Sequence, residues 1–578
     1  MPCSRSRCVI TVVFLFCAVP ALAQSGYPIA IGGAGTDRLE TLSTDPSGNV
    51  TVGGVFKRTI DVDPGPGVVL LPGNSFENGW VASYTPQGSL RWAAEVAGGG
   101  FQNVSDVATD AEGGATAVGF FSGTVDFDPG PNARSLTATD SDLFVVSYDA
   151  NGALRYAFVL DGPASVQEAY IASDVSGFVY VAGSLPRDTP TDFDPGAGEF
   201  VLTAQPGSFE IGFLAAYALD GSFLWAELIE GPGLMRPRGV APRPGGGVAV
   251  TGEFAGTVDF APSGGDATRT SGTSADAFVA VYDAGGALEL AYGVGGNGFD
   301  TGIDVAVDAQ SRTALVGRFQ GAVDFNPGSE VLEYQATGGT LGDGFVAVYE
   351  PDGALVFAWD LNQALATDIA FGPEGSVTAA GQYEGTVDFD PSAESETLTS
   401  MGGSDVYAVV YEPGGALRYA ASMGSQTGNE VARGVAVDGT GRATLAGQFF
   451  GTVDFDPGPG IASLTAQATD GFITLLTPQG VLPTASEAPP TASALGLRVF
   501  PNPARDQARV HLQLSSYGPA RVVLVNMLGR EVAMLFDGVM APGHSVSLQM
   551  PPLAAGVYIV RAVTSEGHAA VPVIVIGH

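Results

Sequence analysis

Aspartate returns along this 578-residue chain in one phrase. It reads TIDVDPG at Thr59, TVDFDPG at Thr124, PTDFDPG at Pro190, TVDFAPS at Thr257, AVDFNPG at Ala322, TVDFDPS at Thr386 and TVDFDPG at Thr452. Full pairs occur at Asp61/Asp63, Asp126/Asp128, Asp192/Asp194, Asp388/Asp390 and Asp454/Asp456, while Ala261 and Asn326 replace the second acid in the fourth and fifth copies. Two aspartates two apart on an extended segment point to one side. A Pro-Gly turn can bring a backbone carbonyl beside them, which makes an oxygen donor set for a hard cation such as Ca²⁺. A third acid often precedes the next strand, at Asp142, Glu210, Asp276, Asp343, Asp405 and Asp470, with Asn78 in the first copy. The alternative is local: Asp before Pro-Gly starts a turn by bonding its own backbone. No copy has the acid at position 12 of a helix-loop-helix calcium site. The sequence leaves calcium binding and turn formation both open.

Other chemistry is narrower. The histidines are His511, His544, His568 and His578, and the cysteines Cys3, Cys8 and Cys17, so residues 24–490 contain neither. That removes the usual zinc and copper ligands, the usual general base and most nucleophile pairs. What remains for catalysis is a carboxylate pair, as in glycoside hydrolysis, with Asp106, Asp304 and Asp368 as candidates. Other repeats put Thr41, Tyr170, Gly239 and Gly434 at that position, so a mixed channel lining accounts for these aspartates equally well. No sialidase-type Asp-box, phosphate-binding Gly-Lys-Ser/Thr loop or Gly-x-Ser-x-Gly elbow occurs.

The elements that must position these residues repeat with the phrase, whose first aspartates are 64 to 67 residues apart. A period of that size marks a solenoid, a propeller or an array of beads. Each unit carries four strand-like pieces, in the second unit Val104–Thr109, Ala115–Phe121, Leu143–Tyr148 and Leu154–Leu160, separated by Asx and Gly turns. Four antiparallel strands per unit make a propeller blade. The turn aspartates between first and second strands (Asp45, Asp110, Asp174, Asp308, Asp438) read as Asx turns.

Six units end on a fourth strand opened by Trp92, Tyr156, Trp225, Leu290, Phe357 or Tyr419 near an alanine, and the seventh lacks one. The segment from Tyr27 to Gly33 matches the missing strand. It is expected to dock as the outermost strand of the last blade, closing a seven-membered ring and removing its open ends. Pro28 suits an outer strand, which has one unpaired edge. The units resemble the bacterial β-propeller repeats of large secreted proteins (SBBP-like repeats), in the pattern aliphatic-Ala-Val-Asp-x-x-Gly and in Asp343 to Tyr349 (DGFVAVY). The resemblance implies the fold rather than an activity, because propellers carry unrelated functions.

Glycine (82) and proline (38) make up about a fifth of the chain, and charged residues only 15%. With 45% hydrophobic residues there is ample material for a core, which excludes a charged disordered chain. The net charge of −37, with Lys57 the sole lysine, repels nucleic acid and anionic membranes. The first residues read as a Sec signal: Arg5 and Arg7, the apolar run Val9 to Val19, then Ala21-Leu22-Ala23. Cleavage is expected after Ala23, which removes every cysteine and leaves no stretch of about 20 apolar residues that would span a bilayer.

Residues 483–494 (PTASEAPPTASA) are a Pro/Ala/Ser/Thr linker. Beyond it the charge balance reverses, with six arginines and four acids from Thr491 onward. Val499-Phe500-Pro501-Asn502-Pro503-Ala504 opens this tail, Val525 to Val532 (VNMLGREV) lies in its middle, and Leu553 to Val560 (LAAGVYIV) near its end. In this order the motifs resemble the C-terminal sorting domain of the type IX (Por) secretion system. The resemblance implies a small Ig-like β-sandwich read by that machinery after Sec export, then removed or used for attachment at the cell surface. Pro501, Asn502 and Pro503 match the opening motif, Gly529 and Arg530 the central turn, and Gly556 with Tyr558 the last hairpin.

The expected organisation is therefore all-β: a signal over 1–23, a seven-bladed propeller closed by its N-terminal strand over 24–482, the linker over 483–494, and an Ig-like sorting domain over 495–578. The expected function is a secreted or surface-displayed, non-catalytic binding or scaffold module, with an extracellular glycan or protein as ligand on a face of loops. A carboxylate-based glycan-acting enzyme and a structural surface-coat protein are the alternatives. Expected partners are the type IX machinery and that ligand, without nucleic acid.

Overall fold

A computed structural model describes residues 26–160, 168–186, 190–204, 210–261, 264, 267–337, 342–392 and 395–482, and the tail strands within 496–500, 509–513, 518–526, 531–540, 545–549, 556–564 and 567–575. The chain divides into two compact units, Ala23–Thr484 and a second containing Ala485–His578. Both are built of β-strands, with one short 3₁₀ turn at Pro373–Gly375 and no α-helix among the described residues. No helix among the described residues is long and apolar enough to cross a membrane.

In the first unit the described strands form antiparallel groups of four, the third and fourth joined through a parallel bridge between Glu210 and Leu234 and the last continued by the short strands Ile60–Asp61 and Leu70–Leu71; we number these groups as sheets 1 to 7 in chain order. Sheet 2 is representative, with strands Gln102–Thr109, Ala115–Asp126, Ser135–Tyr148 and Leu154–Leu160. The other first strands are Arg38–Thr44, Ala169–Ser173, Leu234–Pro242, Thr301–Val307, Leu365–Phe371 and Val431–Val437. Each first strand packs against the first strand of the following sheet, and Val431–Val437 of sheet 7 packs against Arg38–Thr44 of sheet 1. Sheet 7 takes its fourth strand from the N-terminal segment: Ile29–Gly33 pairs antiparallel with Ser463–Leu476, Ile29 opposite Ile473 and Ile31 opposite Gly471.

The Asp-Pro-Gly phrase differs from a simple loop. In sheets 2, 4 and 7 its Thr-Val-Asp extends the second strand, and the chain returns as a prolonged third strand, pairing Thr124 with Thr137 and Asp126 with Ser135 in sheet 2. Alternation explains the extension. The valine faces inward, as Val125 does at 0% exposure, while the threonines pair on the outer face, Thr124 Oγ1 to Thr137 Oγ1 at 2.9 Å. The phenylalanine between the acids belongs to the core. Phe127 packs edge-on to Phe121, with ring centroids 5.5 Å apart, and lies 4.9 Å from Phe144. The same three-ring cluster recurs around Phe260, Phe325, Phe389 and Phe455.

The residue that opens each fourth strand serves the next sheet. Gly152, at φ 83° in the turn of sheet 2, lies against the ring of Trp92 from sheet 1, and a Cβ there would meet that ring at 2.7 Å. Trp225 of sheet 3 makes the same contact on Gly286 of sheet 4 and donates its Nε1–H to the Ala284 carbonyl at 2.9 Å. A glycine turn with φ near +85° thus both reverses the chain and gives a flat seat to an aromatic.

The tail unit contains a three-stranded sheet (Gly496–Phe500, Arg509–Gln513, Ser545–Gln549) and a four-stranded one (Gly518–Asn526, Glu531–Met540, Gly556–Thr564, Gly567–Val575). Ala520, Val522, Val523, Leu524 and Val560 are buried in it.

Candidate functional site

The first strands surround a cavity of about 810 Å³. A register irregularity interrupts six of them just before the position that varies along the sequence, between Leu39 and Thr41, Val104 and Asp106, Pro237 and Gly239, Gly302 and Asp304, Ala366 and Asp368, and Ala432 and Gly434. An extra residue at a bulge re-aims side chains. Here Glu40, Arg238, Thr367 and Arg433 occupy bulge positions and line the cavity together with Asp106, Asp304 and Asp368.

The structure brings these three aspartates to one cavity, and each is engaged by backbone. Asp106 Oδ1 accepts the Thr41 hydroxyl at 2.6 Å and the Val107 N–H at 2.8 Å, and its Oδ2 accepts the Ile171 N–H at 2.9 Å. One carboxyl therefore joins sheets 1, 2 and 3. Asp304 Oδ2 accepts the Ile369 N–H at 3.2 Å, joining sheets 5 and 6, and Asp368 Oδ2 accepts the Val435 N–H, joining sheets 6 and 7. Burial pushes Asp106 up to about 6 against the pull of those hydrogen bonds. Burial also raises Asp304, and it raises Asp368 well above the usual range, helped by the Asp304 charge beside it. This arrangement braces strands.

Charges at the cavity wall are paired. Arg38 Nε lies 2.8 Å from Glu40, and Arg238 lies 3.0 Å from Glu168 and 3.3 Å from Glu253. Phe101, 42% exposed, Tyr170 and Phe371 add aromatic surface. Arg38, Glu168, Arg238 and Phe101 carry no local signal in the sequence, because what unites them is inter-sheet register. A second cavity of about 290 Å³ is lined by the turn aspartates Asp45, Asp110, Asp174 and Asp438. In each of these, Oδ1 accepts the N–H groups two and four residues on, as with Ser47 and Asn49 on Asp45.

The Asp-Pro-Gly aspartates close their own turns. In every full pair the first Oδ1 accepts two amides, those of the second aspartate and of the residue eight positions on: Asp63 and Val69 on Asp61, Asp128 and Arg134 on Asp126, Asp194 and Phe200 on Asp192, Asp390 and Glu396 on Asp388, and Asp456 and Ala462 on Asp454. The second Oδ1 accepts the N–H two residues later, as Gly65 on Asp63 at 2.8 Å, with the same bond at Asp128, Asp194, Asp390 and Asp456. The donors aimed at these oxygens are N–H groups, and among the described residues no three acids gather as a metal-binding group. Of the third acids, Glu210, Asp343 and Asp405 open third strands, while Asp142, Asp276 and Asp470 lie within prolonged ones.

Of the sorting-motif residues, Gly556 opens the strand Gly556–Thr564, and Tyr558 stands opposite Asn526 and Val573. Pro501, Asn502, Pro503, Gly529, Arg530 and the expected cleavage position Ala23 lie outside the described residues.

Residues 498–576 match the family of secretion system C-terminal sorting domains, so the chain carries such a domain and is addressed for secretion or attachment at the cell surface. No curated protein matches the chain. Among solved structures, the Dos1 propeller is similar at 9% identity and a TM-score of 0.34, over 77% of this chain and 95% of that one. Dimeric latent PorU from Porphyromonas gingivalis is similar at 11% identity and a TM-score of 0.13, over 64% of this chain and 32% of that one. A glycoside hydrolase family 43 arabinoxylan arabinofuranohydrolase from Bacillus subtilis is similar at 10% identity and a TM-score of 0.20, over 71% and 92%.

Proposed function

We propose that the first unit is a seven-bladed β-propeller closed by its N-terminal strand, and that it works as an exported, non-catalytic module binding an extracellular glycan. Closure is supported by the contact of Val431–Val437 with Arg38–Thr44 and by the pairing of Ile29–Gly33 with Ser463–Leu476. The observation that carries the binding reading is the state of Asp106, Asp304 and Asp368: an open cavity of about 810 Å³ whose wall carboxyls are engaged by strand amides. Its paired charges and its aromatics suit a neutral, hydroxyl-rich ligand, since sugar rings stack on aromatic faces while hydroxyls meet fixed donors and acceptors.

A panel of extracellular polysaccharides tests this by affinity electrophoresis and by release of reducing ends. The expected result is binding without hydrolysis, weakened at least about tenfold by Phe101→Ala. Reducing ends that disappear in Asp304→Asn or Asp368→Asn would establish an enzyme instead. Export is tested separately: removing residues 495–578 is expected to hold the protein within the cell envelope.

A further inference from the structure

The cavity of about 810 Å³ is lined by residues of all seven first strands. Those strands pack one against the next and the last against the first, so the cavity has a wall on every side and opens only along its axis. Its volume is that of a small-molecule site, enough for a short run of sugar rings and too little for a polymer lying across it. A long glycan can therefore reach the wall residues only by its end.

The two ends of the cavity differ. Where the first strands begin, Phe101 stands just ahead of its strand, lines the cavity and is 42% exposed. Its backbone is held by Ser122: the Phe101 N–H donates to Ser122 Oγ and the Ser122 N–H to the Phe101 carbonyl, both at 2.9 Å. Asn103 and Ser105 follow at alternate positions and line the cavity too, so the three residues descend about 13 Å along one strand. Asn103 Oδ1 accepts the Phe120 N–H at 2.7 Å, and its Nδ2 donates to Ser105 Oγ at 3.2 Å. The other N–H of that amide and the Ser105 hydroxyl proton have no acceptor among the described residues. Thr41, Thr367 and Ser43, also on the wall, are committed to the fold, to Asp106 at 2.6 Å, to the Ala432 carbonyl at 2.7 Å and to Thr109 at 2.9 Å.

At the far end the cavity meets the second one, with which it shares Thr44 and Val437. The described lining there consists of the turn aspartates and small or aliphatic residues, without an aromatic ring. Phe371 ends its strand on that side, but the Arg312 guanidinium lies over its ring, 5.8 Å from the centroid. An open aromatic face with unspent hydrogen-bonding groups below it is thus offered where the strands begin.

We propose that the cavity reads glycan chain ends: a neutral glycan enters by its terminus at the Phe101 end, its last ring against Asn103 and Ser105 and the ring before it stacked on Phe101. This rests on the glycan-binding reading of the cavity and narrows it from polysaccharides in general to chain termini and short branches. Stacking selects pyranoses with equatorial hydroxyls, because these present a C–H face to the aromatic ring. Phe101 and Asn103 are fixed by sheet 2 before any sugar arrives, so binding orders little of the protein.

Calorimetric titration of the full chain with equal masses of xylan, amylose and β-1,3-glucan, each intact and after partial acid hydrolysis to about a tenth of its length, tests it. For the polymers that bind, the expected result is about ten times as many binding sites per gram after hydrolysis, since cutting multiplies ends while mass and composition stay fixed. Ser105→Ala is expected to weaken binding of the cut chains at least about fivefold, the loss of one hydrogen bond. Sites per gram that hydrolysis leaves unchanged would mean that chains are held along their length, which overturns the proposal and leaves glycan binding standing. Unaltered affinity in Ser105→Ala overturns the placement of the terminal ring. Absence of binding by every polymer, intact or cut, overturns the glycan-binding reading and this proposal with it.

Discussion

Tyr349 donates its hydroxyl to the Phe325 carbonyl at 3.0 Å, tying the end of a third strand to the residue between the two polar side chains of the Asp-Phe-Asn-Pro-Gly turn. The same latch joins Tyr84 to Val62, Tyr148 to Phe127, Tyr217 to Phe193, Tyr282 to Phe260 and Tyr411 to Phe389, all buried. Leu476 takes this position in sheet 7. The repeated phrase and the repeated tyrosine are therefore one device. The aspartate closes the turn, the aromatic fills the core, and the tyrosine satisfies the carbonyl that burial of the aromatic takes out of water.

Tyr349→Phe is expected to destabilise the first unit by about 1 to 3 kcal/mol, because it leaves the Phe325 carbonyl buried without a donor. Urea denaturation followed by tryptophan fluorescence measures it. An unchanged midpoint would mean that the carbonyl finds water.

Asp106→Ala removes bonds to Thr41, Val107 and Ile171 together and is expected to cost about 3 kcal/mol or more. Thr41→Ala removes one of them. The double variant should lose less than the sum of the singles, since the Thr41–Asp106 bond is lost only once, Thr41 Oγ1 keeping the Val107 N–H at 3.4 Å. Additive losses in a double-mutant cycle would show that the two side chains act separately.

Burial holds Asp37, Asp106, Asp276 and Asp360 up to about 6, and Asp300 and Glu430 up to about 7, all above their unfolded values. Between about pH 4 and 7 the native state therefore binds more protons than the unfolded chain, so stability falls as pH rises through that window. With chelator present and at constant ionic strength, the melting temperature is expected to be at least about 5 °C higher at pH 5 than at pH 7.5. Below about pH 4 the trend should reverse, as Glu412, lowered by its bond to Arg418, takes up its proton. A melting temperature that climbs steadily from pH 5 to 7.5 would contradict this.

Gly424→Ala would push a methyl group into the Asp405 carboxyl and is expected to destabilise by about 1 to 3 kcal/mol. Adding Asp405→Ser should recover much of that loss, because the shorter side chain vacates the space. Calorimetric melting of the single and double variants checks the pairing, and no recovery would place the strain elsewhere.

Local pattern carried the strands into view. The alternating run of Asp343 to Tyr349 appears as one strand with those bounds, and the match of Tyr27 to Gly33 to a missing fourth strand anticipated the pairing of Ile29 with Ile473. The turn phrase was half legible. Its aspartates advertise both a turn and a cation site, and the amides converging on Asp61 Oδ1 from Asp63 and Val69 show the turn. Asp106, Asp304 and Asp368 stood out because other repeats carry Thr, Tyr or Gly there. Their partners Ile171, Ile369 and Val435 did not, because each lies a full repeat away and the bond depends on how one sheet is set against the next. Asp276 was visible as an acid before a strand, while its neighbour Asp300 was hidden for the same reason.

The strand Ile29–Gly33 completes a sheet whose other members lie more than four hundred residues further on. Its earliest-made segment therefore waits for its latest-made sheet, and this longest of the loop closures sets the final step of folding. Until then sheet 7 keeps a bare edge at Phe472 and Ile473, and Ile29 and Ile31 stay in water. A chain that emerges from its amino end presents Ile29–Gly33 before the strand it pairs with, so that edge waits on Ser463–Leu476.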